Sequence, residues 1–293
     1  MPETGLVVAR HRRHIVVEDA RGGQHACLLR GRSLSVLAGD RVEWETGKDG
    51  TAVVLEVAPR QSTLTRIDSR GRREPIAANV TQLLVVAAPA PKPDWLLIDR
   101  YLVAAELMGA TATIVINKAE LLEEPLHPLE TYRHIGYDVC ATSAKRGTGL
   151  AELEERMRGQ RSVMVGQSGV GKSSLLNAVL GESLQTVGAL SERGSQGRHT
   201  TTTATLVRLP GGAELIDSPG VRGYAPYIED ARDLDRGFRE FRPLLGHCRF
   251  DDCSHRAEPD CAVKAAVDAG EIDAHRYESY LKLRELLESL PAS

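Results

Sequence analysis

No apolar run in the 293-residue chain is long enough to cross a bilayer, and the opening stretch, MPETGLVVARHRRH, lacks the apolar core of a secretory signal. The expected location is therefore the cytoplasm, with no membrane partner. Nor is there an excess of one charge. With 37 Lys and Arg against 40 Asp and Glu the net charge is −3, so any nucleic-acid binding must come from a local patch. Arg60, Arg66, Arg70, Arg72 and Arg73, opposed only by Asp68, form such a patch. Charge alone fits either phosphate neutralisation or a solvated linker. Cysteines are few and odd in number, five, which speaks against a disulfide framework. Internal repeats are absent, and nothing demands more than a monomer.

What is present is enough apolar content, 42%, for a real core divided over two or three domains. The runs GLVVAR, HIVVED, HACLLR, DRVEWET and TAVVLEV, separated by glycine-bearing turns, predict a five-stranded barrel over residues 1–62. An OB-fold is the leading candidate and an SH3-like barrel is compatible. Residues 63–78 read as a basic linker broken by Gly71 and Pro75. From 79 to 235 the runs LLVVAA, TATIVIN, SVMVG, TATLVRL and AELID alternate with amphipathic stretches such as WLLIDRYLVAAELMG, the pattern of βαβ units around a parallel sheet. Residues 236–293 lose the strand pattern and become helical. There Tyr277, Tyr280, Leu281, Leu283, Leu287 and Leu290 form a stripe expected to pack a core.

The segment VGQSGVGKSSLLN places Gly166, Gly171, Lys172 and Ser173 at G-x-x-x-x-G-K-S spacing between a strand and a helix. The backbone from Gly166 through Gln167, Ser168, Gly169 and Val170 to Gly171, with Ser174 beyond, is expected to turn its N–H groups toward phosphates at a helix N-terminus. Lys172 reaches the β and γ phosphates, and the Ser173 hydroxyl suits Mg²⁺. These residues specify a nucleotide without choosing its base.

Asn117, Lys118, Ala119 and Glu120 close a strand-like run and match the guanine motif N-K-x-D, with glutamate as the acid. A carboxylate accepts from both guanine N1–H and the exocyclic amine, a pattern adenine does not offer. Ser143, Ala144 and Lys145 follow the next strand-like segment and match S-A-K, whose backbone amide backs the ring. Both motifs precede the phosphate loop, which implies a circular permutation of the usual order.

ELIDSPG matches strand plus D-x-x-G, with Asp217 toward Mg²⁺ and the Gly220 N–H toward the γ phosphate. In GRHTTTT, Thr201, or its neighbour Thr202, is the candidate Mg²⁺ ligand of a first switch. Val221 cannot polarise water, so His199 becomes the candidate catalytic group, against the alternative of a switch-loop residue with no such role. Finally, Cys248, Cys253, His255 and Cys261 supply three thiolates and an imidazole within fourteen residues, a set suited to one closed, structural Zn²⁺. Cys27 and Cys140 read as core residues.

Taken together, the barrel, the order NKAE, TSAK, GQSGVGKSS, GRHTTT and DSPG, and the terminal CRFDDCSHRAEPDCAV make the chain resemble the bacterial ribosome small-subunit-dependent GTPase A family over nearly its full length. The resemblance implies a late assembly factor that hydrolyses GTP to GDP on the small (30S) subunit and uses the nucleotide state to control its release. It also implies that the OB and zinc domains contact 16S rRNA and that His199 is the family's switch histidine. This chain departs from the family at Glu120, in place of aspartate, and at Ser218, in place of threonine. Competing readings are a large-subunit assembly GTPase and an RNA-binding adaptor with an idle nucleotide site.

Overall fold

The computed structural model describes residues 2–11, 14–29, 34–67, 72–124, 126, 128–181, 204–217 and 231–289. Five strands open the chain: β1 (Glu3–Arg10), β2 (Ile15–Glu18), β3 (Gln24–Leu29), β4 (Arg41–Thr46) and β5 (Ala52–Val57). On β2, β4 and β5 alternate residues are buried, as Val42 and Trp44 are on β4, so that one face of each of these strands points inward. They pair in the order β1-β2-β3-β5-β4, and β4 returns to β1 with Glu3 opposite Trp44 and Leu6 opposite Arg41. The sheet is thus closed around Val7, Ile15, Val17, Cys27, Val36 and Val54, and with its parallel β3–β5 pair it is an OB-type barrel.

The expected linker at 63–78 is built differently. Strands β6 (Thr63–Ile67) and β7 (Arg73–Ala78) form an antiparallel hairpin, with Pro75 opposite Thr65 next to an irregularity that tolerates its missing N–H. Leu64 and Ala77 drop into the central core, and Arg66 pairs with Glu74 across the strands at 2.6 Å. Arg60 is held as well: its guanidinium grips the fully buried Asp40 with bonds of 2.8 and 2.9 Å. At least two arginines of the basic patch therefore serve the fold.

Six strands make the central sheet: β8 (Gln82–Ala87), β9 (Thr111–Ile116), β10 (Asp138–Ala141), β11 (Arg161–Val165), β12 (Ala204–Arg208) and β13 (Glu214–Asp217). Their order is β10-β9-β8-β11-β13-β12. All are parallel except β12, which runs antiparallel to β13. A parallel reading of TATLVRL fails because the connection through Pro210–Gly212 is a tight reversal, far too short for a crossover. Helices α1 (Trp95–Met108) and α2 (Pro128–His134) cover one face, and α3 (Leu150–Met157) and α4 (Lys172–Leu180) the other. On β8, Leu83, Val85 and Ala87 join the first core while Leu84 and Val86 join the second, which explains its unbroken apolar run.

The C-terminal part has no strands among its described residues. Short turns of 3-10 helix at Ala231–Gly237 and Arg239–Leu244 lead to α5 (Ala262–Asp268) and α6 (Ala274–Glu288). Their core of Phe238, Phe241, Val263, Tyr280 and Leu283 takes in Val103 of α1. On α6 the expected stripe buries Tyr280 and Leu283 with Tyr277, Leu281 and Leu287 partly covered, while Leu290 lies outside the described residues. Among the described residues, no helix is long and apolar enough to cross a membrane.

Candidate functional site: a nucleotide cleft and a metal centre

Because β8, β9, β11 and β13 run parallel, their C-terminal ends deliver their following loops to one edge of the sheet. Residues 166–171, the expected phosphate loop, leave β11 there and end at Gly171, which precedes α4. Two glycines are required by close approach. A Cβ on Gly166 (φ 138°) would lie 2.1 Å from the Val86 carbonyl oxygen, and one on Gly171 (φ 91°) would lie 2.5 Å from the Asn117 amide nitrogen. Lys172 turns back over the loop, its Nζ donating to the carbonyls of Gly166 (2.6 Å) and Gln167 (2.7 Å).

Asn117, only 1% exposed, joins the two halves of the cleft. Its Nδ2 donates to the Val170 carbonyl at 3.0 Å, while its Oδ1 accepts from the Ala144 N–H at 3.2 Å. One side chain thus ties the 166–171 loop to the loops that follow β9 and β10, although 53 residues separate Asn117 from Val170. Lys118, in the left-handed region at φ 58°, bridges the carbonyls of Ala90 and Gly169, both at 2.7 Å. Ala119 donates its N–H to Thr142 at 2.9 Å, which sets the loop bearing Glu120 against that bearing Ser143 and Lys145. The Ser143 hydroxyl, ahead of any other cause, holds the Glu120 carboxyl below its usual range. Glu120 Oε2 is shielded from solvent yet has no hydrogen-bond partner among the described residues, so it is an acceptor left open for a donor.

A pocket beside the head of α4 is lined by Met164, Lys172, Ser173, Leu176, Leu215, Ile216 and Asp217. It gathers a hydroxyl and a carboxylate, hard oxygen donors of the kind Mg²⁺ takes. His199, Thr201, Thr202, Ser218, Gly220 and Val221 lie outside the described residues.

Here the geometry and the comparisons meet. A model of the RsgA GTPase family matches residues 57–225. The chain belongs to this family. A curated relative from Azotobacter vinelandii, named small ribosomal subunit biogenesis GTPase RsgA, is 46% identical, covering 99% of this chain and 86% of its own. Another of that name, from Chromohalobacter salexigens, is 48% identical over 94% of this chain and 84% of its own. The crystal structure of YjeQ from Thermotoga maritima matches with a TM-score of 0.77 at 35% identity, covering 99% of both chains. That of YloQ, described as a circularly permuted GTPase, matches at 0.75 with 26% identity over 100% of this chain and 97% of its own. Membership of the RsgA GTPase family makes the chain a GTP-hydrolysing enzyme with a permuted nucleotide domain.

The second centre lies in the C-terminal part. Ligand atoms of Cys248, Cys253, His255 and Cys261 all fall within 4.8 Å of one another. Cys248 Sγ is 3.9 Å from Cys261 Sγ, and His255 Nδ1 is 3.5 and 3.4 Å from the Cys248 and Cys261 sulfurs. Tetrahedral edges built on ordinary Zn–S and Zn–N bonds are about 3.8 and about 3.6 Å, so the set can hold such an ion.

Several supporting residues carry no motif. Asp235 faces His255 Nε2 at 3.7 Å, and the hydroxyls of Tyr277 and Tyr280 on α6 donate to the carbonyls of His255 (2.7 Å) and Ser254 (2.9 Å). Glu258 accepts from the Ser254 hydroxyl and N–H and from the Arg256 N–H, with the Ser254 hydroxyl the first cause of a carboxyl pKa of about 2. The C-terminal part is riveted to α1. Arg276 and Asp99, both fully buried, meet at 2.5 Å, with Glu240 at 2.7 Å, and Glu106 takes Arg239 and Arg242, each at 2.6 Å.

Proposed function

We propose that this enzyme binds the small ribosomal subunit late in its maturation, hydrolyses GTP with stimulation by that subunit, and uses the nucleotide state to control its own release. What supports the reading best is Asn117, which holds both Val170 and Ala144 and so joins the segments assigned here to phosphate and to guanine in spite of the permuted order. In this reading Glu120 accepts from the guanine edge through an oxygen now without a partner, and Ala144 offers its N–H to the ring. Ser143 orients the glutamate and Lys145 flanks the base, while Asn117, Lys118 and Ala119 hold the base loops to one another.

Gly166, Gln167, Ser168, Gly169, Val170 and Gly171 wrap the polyphosphate with their backbone, and Lys172, Ser173 and Ser174 complete the cradle at the head of α4. Ser173 and Asp217 would hold Mg²⁺ with Thr201, the ion supplying charge neutralisation between phosphates. Gly220 is assigned to the γ phosphate and His199 to the attacking water. Cys248, Cys253, His255 and Cys261 would hold one structural Zn²⁺, which would cross-link the loop that carries them. The barrel and the zinc domain contact 16S rRNA, and the chain works in the cytoplasm as a monomer.

The test is GTP turnover measured alone, with purified small subunits and with purified large subunits, using ATP as competitor. Stimulation by small subunits only, with ATP failing to compete, is the expected result. Stimulation by large subunits alone reassigns the particle. Competition by ATP equal to GTP removes the role given to Glu120, and absence of turnover under every condition leaves an RNA-binding adaptor.

A further inference from the structure

Helix α1 meets the phosphate loop at its head and the C-terminal domain along its length. At the head, Gln167 reaches out of the loop to clamp the entry to the helix. Its Oε1 accepts from the Asp94 N–H at 2.8 Å, and its Nε2 donates to the Lys92 carbonyl at 3.1 Å. Asp94 is the N-cap of α1, its carboxylate accepting from the Leu97 N–H at 3.0 Å. Lys118 adds a second clasp between the same segment, at Ala90, and the loop, at Gly169. One turn further on, the fully buried Tyr101 sets its ring into the core beneath the central sheet. The helix is equally bound on its other side, through Asp99 to Arg276, through Val103 to the Phe238 core, and at its far end through Glu106 to Arg239 and Arg242.

A capped helix buried on both sides transmits displacement rather than absorbing it, and the phosphate-loop motif needs only backbone at the position Gln167 occupies. We propose that Gln167 is a positioning residue, whose carboxamide pins the phosphate loop to α1 so that a change in how the C-terminal domain seats on the helix reaches the loop. The inference rests on the reading of residues 166–174 as the phosphate loop. It gives the metal-bearing domain a route to the nucleotide that bypasses the switch segments.

A double-mutant cycle tests it on the full-length, zinc-loaded chain. Glu106→Gln loosens the far end of α1, and Gln167→Ala releases its head. Asp94 and Glu106 are separated by about 18 Å of helix, so independent action is the default. The readout is amide hydrogen exchange of residues 166–171 without nucleotide, with thermal melts confirming that each variant is folded. Glu106→Gln is expected to speed that exchange about threefold in the otherwise native chain and by clearly less once Gln167 is alanine, when the Lys118 clasp alone still spans from Ala90 to Gly169. Arg242→Gln, at the exposed side of the same contact, should repeat the pattern if Glu106→Gln folds poorly. Two factors that simply multiply, or a Glu106→Gln chain with native exchange, overturn the proposal. Dissociation of fluorescent GDP runs in parallel: a native chain that fails to bind it overturns the nucleotide reading, whereas the exchange cycle judges Gln167 without any ligand.

Discussion

At Gly171 one methyl group decides whether the cleft closes. Its Cβ would stand 2.5 Å from Asn117 Nδ2, and a φ of 91° strains any L side chain. Gly171→Ala must therefore push away Asn117, the residue that links the 166–171 loop to Ala144. Its affinity for labelled GDP should fall by about tenfold or more, and a titration giving native affinity contradicts the placement of Asn117. Asp19 offers a check by pH. Its carboxylate accepts from His25, ahead of the Gly23 and Arg21 N–H groups, and is held at about 2 against an ordinary 3.8. A depressed carboxylate stabilises the fold above its unfolded pKa and loses that contribution as pH falls through the folded one. The melting-temperature gap between native chain and Asp19→Asn should thus be full at about pH 5 and close as the pH approaches about 2. A gap that stays constant over that interval removes the assigned hydrogen bonds.

Between elements, the α1–α6 seam rests on charges rather than on apolar contact alone. Arg276 lies wholly buried between Asp99 and Glu240, with Phe238 under its guanidinium at 4.6 Å and the Tyr132 hydroxyl donating to Asp99 at 2.7 Å. Removing one partner of a buried pair strands the other, so Arg276→Ala should cost about 3–5 kcal/mol in a urea melt, and a loss below about 1 kcal/mol shows that Asp99 finds water instead. This seam was only half legible beforehand. The stripe of Tyr280 and Leu283 follows from helical periodicity, but the burial of Arg276 and Ser279 on the same helix does not, because Arg276 finds its partners Asp99 and Glu240 on other elements. The hairpin of β6 and β7 was hidden for a related reason. Arginines there look like a linker until Glu74 and Asp40 are seen opposite them.

Across the whole molecule, barrel and nucleotide domain share one sheet. Strand β12 pairs with β13 on one side and with β1 on the other, where Ala9 faces Thr205 and Arg10 faces Ala204. Gly39 locks the junction: its carbonyl accepts from Asn79 (2.9 Å) and Arg161 (2.7 Å), and a Cβ there would approach the Ala78 oxygen to 2.2 Å. Gly39→Ala should loosen the barrel and hasten tryptic cleavage between it and the nucleotide domain. An unchanged cleavage rate contradicts a shared, tightly packed junction.

The barrel strands, the βαβ alternation and the close spacing of Cys248, Cys253, His255 and Cys261 were readable from the chain, because each depends on residue type at short spacing, which local backbone geometry converts directly into structure. Only the tertiary structure decided that Asn117 touches Val170, that Asp235 backs His255 and that Gln167 clasps the head of α1. Those contacts join groups far apart in the chain or depend on a side-chain direction that the motif leaves open, and such pairings are set by how parallel strands and buried charges pack rather than by any local pattern.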